Sequence, residues 1–194
     1  ENVTFASLKS LRAGVESTPL NHEWSVSELE SLLEHLEPLE EVYIHGYLTP
    51  SVLDKTLKRH GPSLYRLIVH SHQQPYGPHP SLAAISPGDI RNIEMHCQRL
   101  EHLRMTVPFS SVMNGSQFPR LCPNLRRLQD LALHVGLREL SAPPGEVARK
   151  ILDLIDNAKI GSRLRRLIIN DLRVCLPIAD LPKVSTYVNR ILRF

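Results

Sequence analysis

Imidazoles are the first side chains to consider for chemistry: the chain of 194 residues has ten histidines, and each can ligate a metal or change charge near neutral pH. His45, His70 and His72 come closest to forming a set. A metal needs a third and a fourth ligand, and among ten histidines such neighbours arise by chance, so His45 and His70 are expected to be solvated or partner-facing, with no metal bound. Cys97, Cys122 and Cys175 are odd in number and contain no C-x-x-C pair. That argues against a disulfide framework or a zinc ribbon and fits core thiols in a reducing compartment. The basic clusters Arg126-Arg127 and Lys159 to Arg166 suit phosphates, but no aromatic RNA-binding motif accompanies them, so a solvated basic end is expected rather than a nucleic-acid site. Glycine-rich phosphate loops, the G-x-S-x-G elbow, H-E-x-x-H and the calcium loop are all absent. Catalysis has no positive support, and neither does a cofactor; an enzyme with His45 and His70 in its site is a minority reading.

What positions these side chains is a repeat. The pattern L-x-x-L-x-L occurs as LKSLRA at Leu8, LEEVYI at Leu39, LYRLIV at Leu64, LEHLRM at Leu100, LQDLAL at Leu128 and LRRLII at Leu164, with starts 31, 25, 36, 28 and 36 residues apart. Fourth and sixth places are apolar while third, fifth and seventh are mostly polar, the period of two of a strand with one buried face. Strands some thirty residues apart are not hairpin partners.

Between them the pattern is helical. Ser27 and Glu30 fit a capping box ahead of the stripe Leu29, Leu32, Leu33 and Leu36. Thr49-Pro50 reads as N-cap and first helical residue, with Val52, Leu53 and Leu57 as the stripe and Gly61-Pro62 as the stop. Ser86-Pro87 with Asp89 repeats the device before Ile90, Ile93 and Cys97. Pro144 and Glu146 open a longer helix ending near Gly161, and Pro182 opens a helix over 181–194 that caps the open end with Val184, Val188, Ile191 and Leu192. Residues 14–24, 71–88 and 108–122 are irregular. Strand, loop, helix, loop, strand at this period predicts an α/β fold: an irregular leucine-rich-repeat solenoid of about six repeats over residues 1–194, with a parallel concave sheet and helices on the convex side. The chain starts without Met and reads as a piece of a longer one.

With the fourth and sixth places inside, the remaining places form columns on the concave face. The third-place column is Ser10, Glu41, Arg66, His102, Asp130, Arg166. The fifth is Arg12, Tyr43, Ile68, Arg104, Ala132, Ile168, and the seventh Gly14, His45, His70, Thr106, His134, Asn170. Aromatic, apolar and Arg side chains mixed on one surface are the composition of a protein interface. Tyr43, His45, Arg66, Ile68, His70, His102, Arg104, His134, Arg166 and Ile168 are therefore the candidate partner-binding residues.

The net charge of +3 conceals a division: residues 1–97 carry 7 Lys+Arg against 12 Asp+Glu, and residues 98–194 carry 16 against 8. A long particle with two electrostatic ends is expected, not a uniformly basic nucleic-acid binder. No apolar run approaches the about 18 residues of a membrane span, and the start lacks a signal-peptide pattern. An intracellular location, cytoplasm or nucleus, is expected.

The phrases ISPGDIRNIEMHCQRLEHLRMTVP and LCPNLRRLQDLALHV, a helix ending in Cys or Cys-Pro followed by an L-x-x-L-x-L strand, resemble the leucine-rich-repeat region of fungal F-box proteins. GEVARKILDLIDNAKIGSRLRRLIIN is similar to its late helix and strand pair. The resemblance covers most of residues 36–170 and rests on generic motifs. It implies the substrate-recognition region of a cullin-RING ubiquitin ligase receptor, in which an F-box grips a Skp-type adaptor and the repeat face holds the protein to be ubiquitinated. Two departures stand out. No L-P-x-E helix cluster precedes the first repeat, so adaptor binding would need an F-box outside this chain. The ninth places hold Glu16, Tyr47, His72, Pro108, Gly136 and Leu172 instead of Asn. The alternative function is a non-catalytic scaffold subunit of a larger assembly, with contacts on the helical side or at an end of the arc.

Overall fold

The structure is a computed structural model that describes residues 8–15, 25–46, 49–71, 85–107, 125–135, 149, 153, 165–171 and 190–193. Six of the seven strands coincide with the six repeats: β1 (Ser10–Val15), β2 (Glu41–Gly46), β3 (Arg66–Ser71), β4 (His102–Val107), β5 (Asp130–Val135) and β6 (Arg166–Asp171). They lie side by side in chain order and run parallel. Parallel neighbours need a crossover, and α1 (Val26–His35), α2 (Pro50–His60) and α3 (Pro87–His96) supply the first three. Among the described residues this is an α/β fold of six parallel strands crossed over by three complete helices, compatible with a solenoid. Of the longer helix expected after Pro144, Arg149 and Asp153 are described and both are helical.

Each strand joins the next by the same backbone device. The second-place carbonyls of Lys9, Glu40, Tyr65, Glu101 and Gln129 each accept from two consecutive N–H groups of the following repeat, at 2.7–3.3 Å. Ahead of β3, β4 and β5 the first-place Leu closes a tight turn, its N–H donating to the carbonyl of Gly61, Cys97 and Leu125 respectively. First-place Leu39, Leu64, Leu100 and Leu128 are fully buried, as are Val42, Ile44, Leu67, Val69, Leu103, Met105, Leu131, Leu133 and Leu167 at fourth and sixth places. Against this face pack Leu29 and Leu33 of α1, Val52, Leu53 and Leu57 of α2, and Ile90 and Ile93 of α3. Each such side chain contributes about 1.5–3 kcal/mol on burial, so every unit depends on its neighbours.

The helix starts follow the local chemistry. Thr49 caps α2 ahead of Pro50, and Ser86 with Asp89 forms a reciprocal capping box on α3. On α1 the box is Ser25 with Glu28, not Ser27 with Glu30: the Ser25 amide donates to Glu28 Oε2 at 2.8 Å and the Glu28 amide to Ser25 Oγ at 3.3 Å. Starting two residues earlier sets Val26 against the core. Gly46 ends β2 with φ 103, a left-handed conformation that a side chain would strain.

The capping helix expected over 181–194 is corrected where the structure describes it. Residues 190–193 form β7 (Arg190–Arg193), antiparallel to β6, with Ile191 opposite Ile168 and Leu192 opposite Leu167. The free edge of β6 would expose a row of unpaired backbone N–H and C=O groups, which a strand satisfies and a helix does not. Residues 181–189 and 194 lie outside the described residues, as do 16–24, 72–84 and 108–124 of the irregular stretches.

Cys97 fits the expectation of a core thiol. It caps α3, is fully buried, and burial pushes its thiol up to about 12. In the folded protein at pH 8 it should resist alkylation by iodoacetamide and become labelled only on unfolding. Peptide mapping by mass spectrometry separates it from Cys122 and Cys175; rapid native labelling of Cys97 would refute its burial.

Candidate functional site

The third- and fifth-place columns read from the sequence exist as continuous rows across the sheet, and the seventh-place column pairs from Gly14 to His70 and from Thr106 to Asn170. Ser10 lies opposite Glu41, Glu41 opposite Arg66, Arg66 opposite His102, His102 opposite Asp130 and Asp130 opposite Arg166. The fifth-place row runs from Arg12 through Tyr43, Ile68, Arg104 and Ala132 to Ile168, in the same registers. Alternation in burial holds through β2, with Glu41, Tyr43 and His45 half-buried between buried neighbours. All ten candidate residues lie on this second face of the sheet, away from the core.

The third-place row is a ladder of opposite charges. Glu41 accepts from the Tyr65 phenol and from Arg66 Nη1, the latter at 3.3 Å. Asp130 Oδ2 accepts from His102 Nδ1 at 2.8 Å and from Arg166 Nη2 at 2.6 Å, joining β4, β5 and β6. Opposite charges facing across strands favour the register. These pairs remain partly solvated, so their worth is specificity more than stability.

The fifth-place row divides into an aromatic half and a guanidinium half. Arg12 lies over the Tyr43 ring, 4.4 Å from its centroid, a cation–π contact. Tyr43 meets His45 edge-on at 5.6 Å and His70 at 6.0 Å. Farther along, Arg104 stands between Ile68 and Ala132. Ala132 is too short to fill its place beside Ile168, and the shortfall leaves a groove of about 270 Å³ across β3 to β6. Apolar Ile68, Ala132 and Ile168 line it together with Arg66, His102, Arg104, Asp130 and Arg166.

The seventh-place row holds a contact the sequence reading missed. His70 and His134, two strands apart, meet edge to face with centroids 4.2 Å apart. The strand between them carries Thr106, which is 1% exposed although its place belongs to the open face. Two imidazoles meeting above a short side chain account for that burial. Thr106 Oγ1 has no hydrogen-bond partner among the described residues. No group of three or more metal-ligating side chains occurs among the described residues either.

His60 was also missed, and it belongs to the fold. Fully buried at the end of α2, it accepts from the Leu39 amide through Nδ1 at 3.2 Å and donates through Nε2 to the Leu33 carbonyl at 3.0 Å. Its signal was present: it continues the stripe of Val52, Leu53, Thr56 and Leu57 by one turn. A polar residue on an apolar stripe immediately before Gly61 marks a buried tie.

Among the described residues no helix is long and apolar enough to cross a membrane. No family model, no curated protein and no solved structure matches this chain.

Proposed function

We propose that this chain is a non-enzymatic protein-binding module of leucine-rich-repeat type, and that the open face of its sheet holds the partner. The observation that carries this reading is the concentration of Tyr43, Ile68, Ile168 and four arginines, Arg12, Arg66, Arg104 and Arg166, on one sheet face, where Ile68, Ile168, Arg66, Arg104 and Arg166 line a groove. Tyr and Arg anchors in partly desolvated positions carry most of the energy of protein interfaces. The same ladder device repeated at five strand junctions supports the repeat type. The resemblance of residues 36–170 to fungal F-box proteins supports a receptor of a cullin-RING ubiquitin ligase, acting inside the cell, whose adaptor contact lies in an F-box outside this chain.

The helical side offers less to a scaffold role. Among the described residues the one exposed large apolar side chain is Met95 of α3, 59% exposed.

Affinity purification of the full-length native protein, with cullin-dependent turnover blocked, tests the receptor reading by mass spectrometry of what is retained. A Skp-type adaptor with a cullin is the expected result; a stable complex lacking both would make the chain a scaffold. The surface is tested separately. Tyr43→Ala and Arg104→Ala should each weaken partner capture by about tenfold or more, the loss of a hot-spot side chain, while far-UV circular dichroism stays unchanged. Capture undiminished by both would remove the open face from the reading.

A further inference from the structure

The groove holds several positive side chains, but their bonding differs in a way that points to a ligand. Arg66 is paired with Glu41, and His102 and Arg166 share Asp130. Arg104, half-buried in the centre of the same groove, makes no ion pair and no hydrogen bond among the described residues. A half-buried guanidinium with no acceptor on the protein donates to solvent, and a partner that puts an acceptor there gains a charge-assisted hydrogen bond. Its fifth-place neighbours, Ile68 and Ala132, offer no acceptor, and the nearby Asp130 already accepts from His102 and Arg166.

Resting on the reading of this face as a binding surface, we propose that the groove takes an extended acidic peptide of a partner protein, with one Asp or Glu carboxylate seated on Arg104. The chemistry favours a carboxylate. A planar carboxylate matches the two parallel N–H groups of one guanidinium, and one spare guanidinium balances one negative charge. A phosphate carries nearly two charges and would bring the second toward Asp130, whose own positive partners are already engaged. On either side of the seated carboxylate, Ile68 and Ile168 give an apolar floor for aliphatic neighbours in the peptide. Peptide binding here fills the groove without displacing an existing ion pair.

The test uses the 194-residue chain and three sets of nonapeptides, each with Glu, Gln or phosphoserine at the centre and randomised aliphatic or polar flanks. Retained peptides are counted by mass spectrometry and individual affinities measured by fluorescence anisotropy. Glu-centred peptides should be retained at least tenfold over their Gln counterparts, with affinity falling as salt rises. Arg104→Gln should abolish that preference, and Asp130→Asn, which removes the negative charge that Arg166 and His102 share, should tighten Glu-peptide binding severalfold. Lys55→Gln, on the helical side, should change nothing, and thermal unfolding of each variant confirms the fold.

Selection of phosphoserine over Glu would overturn the proposal in favour of a phosphopeptide. So would a Glu preference that survives Arg104→Gln, or retention of no peptide set. Those failures leave the wider reading standing where native partner capture still depends on Tyr43. That reading falls instead if capture is indifferent to Tyr43→Ala and Arg104→Ala together.

Discussion

His60→Ala lowers the free energy of unfolding by about 3–5 kcal/mol, through two buried backbone groups left unpaired and a cavity where the ring stood. The Leu39 amide and the Leu33 carbonyl both end on this imidazole, so one side chain ties the end of α1 to the start of β2 from the end of α2. Urea unfolding of both proteins at pH 7.5 measures the loss; a change under about 1 kcal/mol would mean that water satisfies those groups equally well.

Acid sensitivity follows from the same geometry. Burial holds the His60 pKa below its ordinary 6.5, with the bond to the Leu33 carbonyl opposing and the Arg59 charge assisting. The folded state therefore binds this proton less readily than the unfolded chain. Stability from His60 is complete above about pH 6.5 and is lost as pH falls from there through the lower folded value. His60→Gln, which keeps a donor and an acceptor but does not titrate, should show a shallower loss of stability between pH 7 and 5 than the parent protein. Equal slopes would assign the acid sensitivity to other groups.

Gly61→Ala has the second largest expected effect, about 1–3 kcal/mol of destabilisation through overpacking. Gly61 ends α2 in a right-handed conformation, φ −46, ψ −46, so no left-handed backbone demands glycine there. Space does. A Cβ would stand 2.8 Å from His96 Cβ and 3.0 Å from the His96 carbonyl oxygen at the end of α3. The adjoining turn cannot yield, since the Gly61 carbonyl accepts from the Leu64 amide at 3.2 Å and Leu64 is fully buried. Thermal unfolding reads the effect, and a Tm within a degree of the parent would show that α2 and α3 separate without cost.

The two substitutions bear on one junction, where the end of a helix meets the start of a strand. Ser63 belongs to it as well, its hydroxyl lying 2.7 Å from both the Leu39 and the His60 carbonyls. Arg59 Nε donates to the Leu36 carbonyl across from α1 at 3.2 Å. Polar side chains at this corner thus close the orphan groups of the neighbouring unit, which makes the corner sensitive to substitution.

The sequence by itself determined the six parallel strands, the face each side chain takes and the three rows that cross the sheet. A side-chain period of two fixes the face of every residue, and a repeated Leu at the first place fixes the register, so Glu41, Arg66, His102, Asp130 and Arg166 could be aligned without coordinates. Helix starts at Thr49 and Ser86 were legible for the same local reason: an N-cap side chain reaches only two or three residues ahead. Between Ser25 and Ser27 that locality failed, since both stand three residues before a Glu and only packing of Val26 selects the first.

Contacts between units were decided by the tertiary structure alone. That His70 meets His134 across β4, that Thr106 is thereby buried, and that His60 spans from Leu33 to Leu39 depend on side-chain directions in segments up to 64 residues apart, which no local period encodes. Strand β7 arose because a free sheet edge lowers its energy by pairing, a demand that the stripe of Val184, Val188, Ile191 and Leu192 does not express. Arg104 shows the division most clearly: its place in the row was readable from the repeat, but that no described side chain accepts from it appears only when Glu41 and Asp130 are seen to hold other partners.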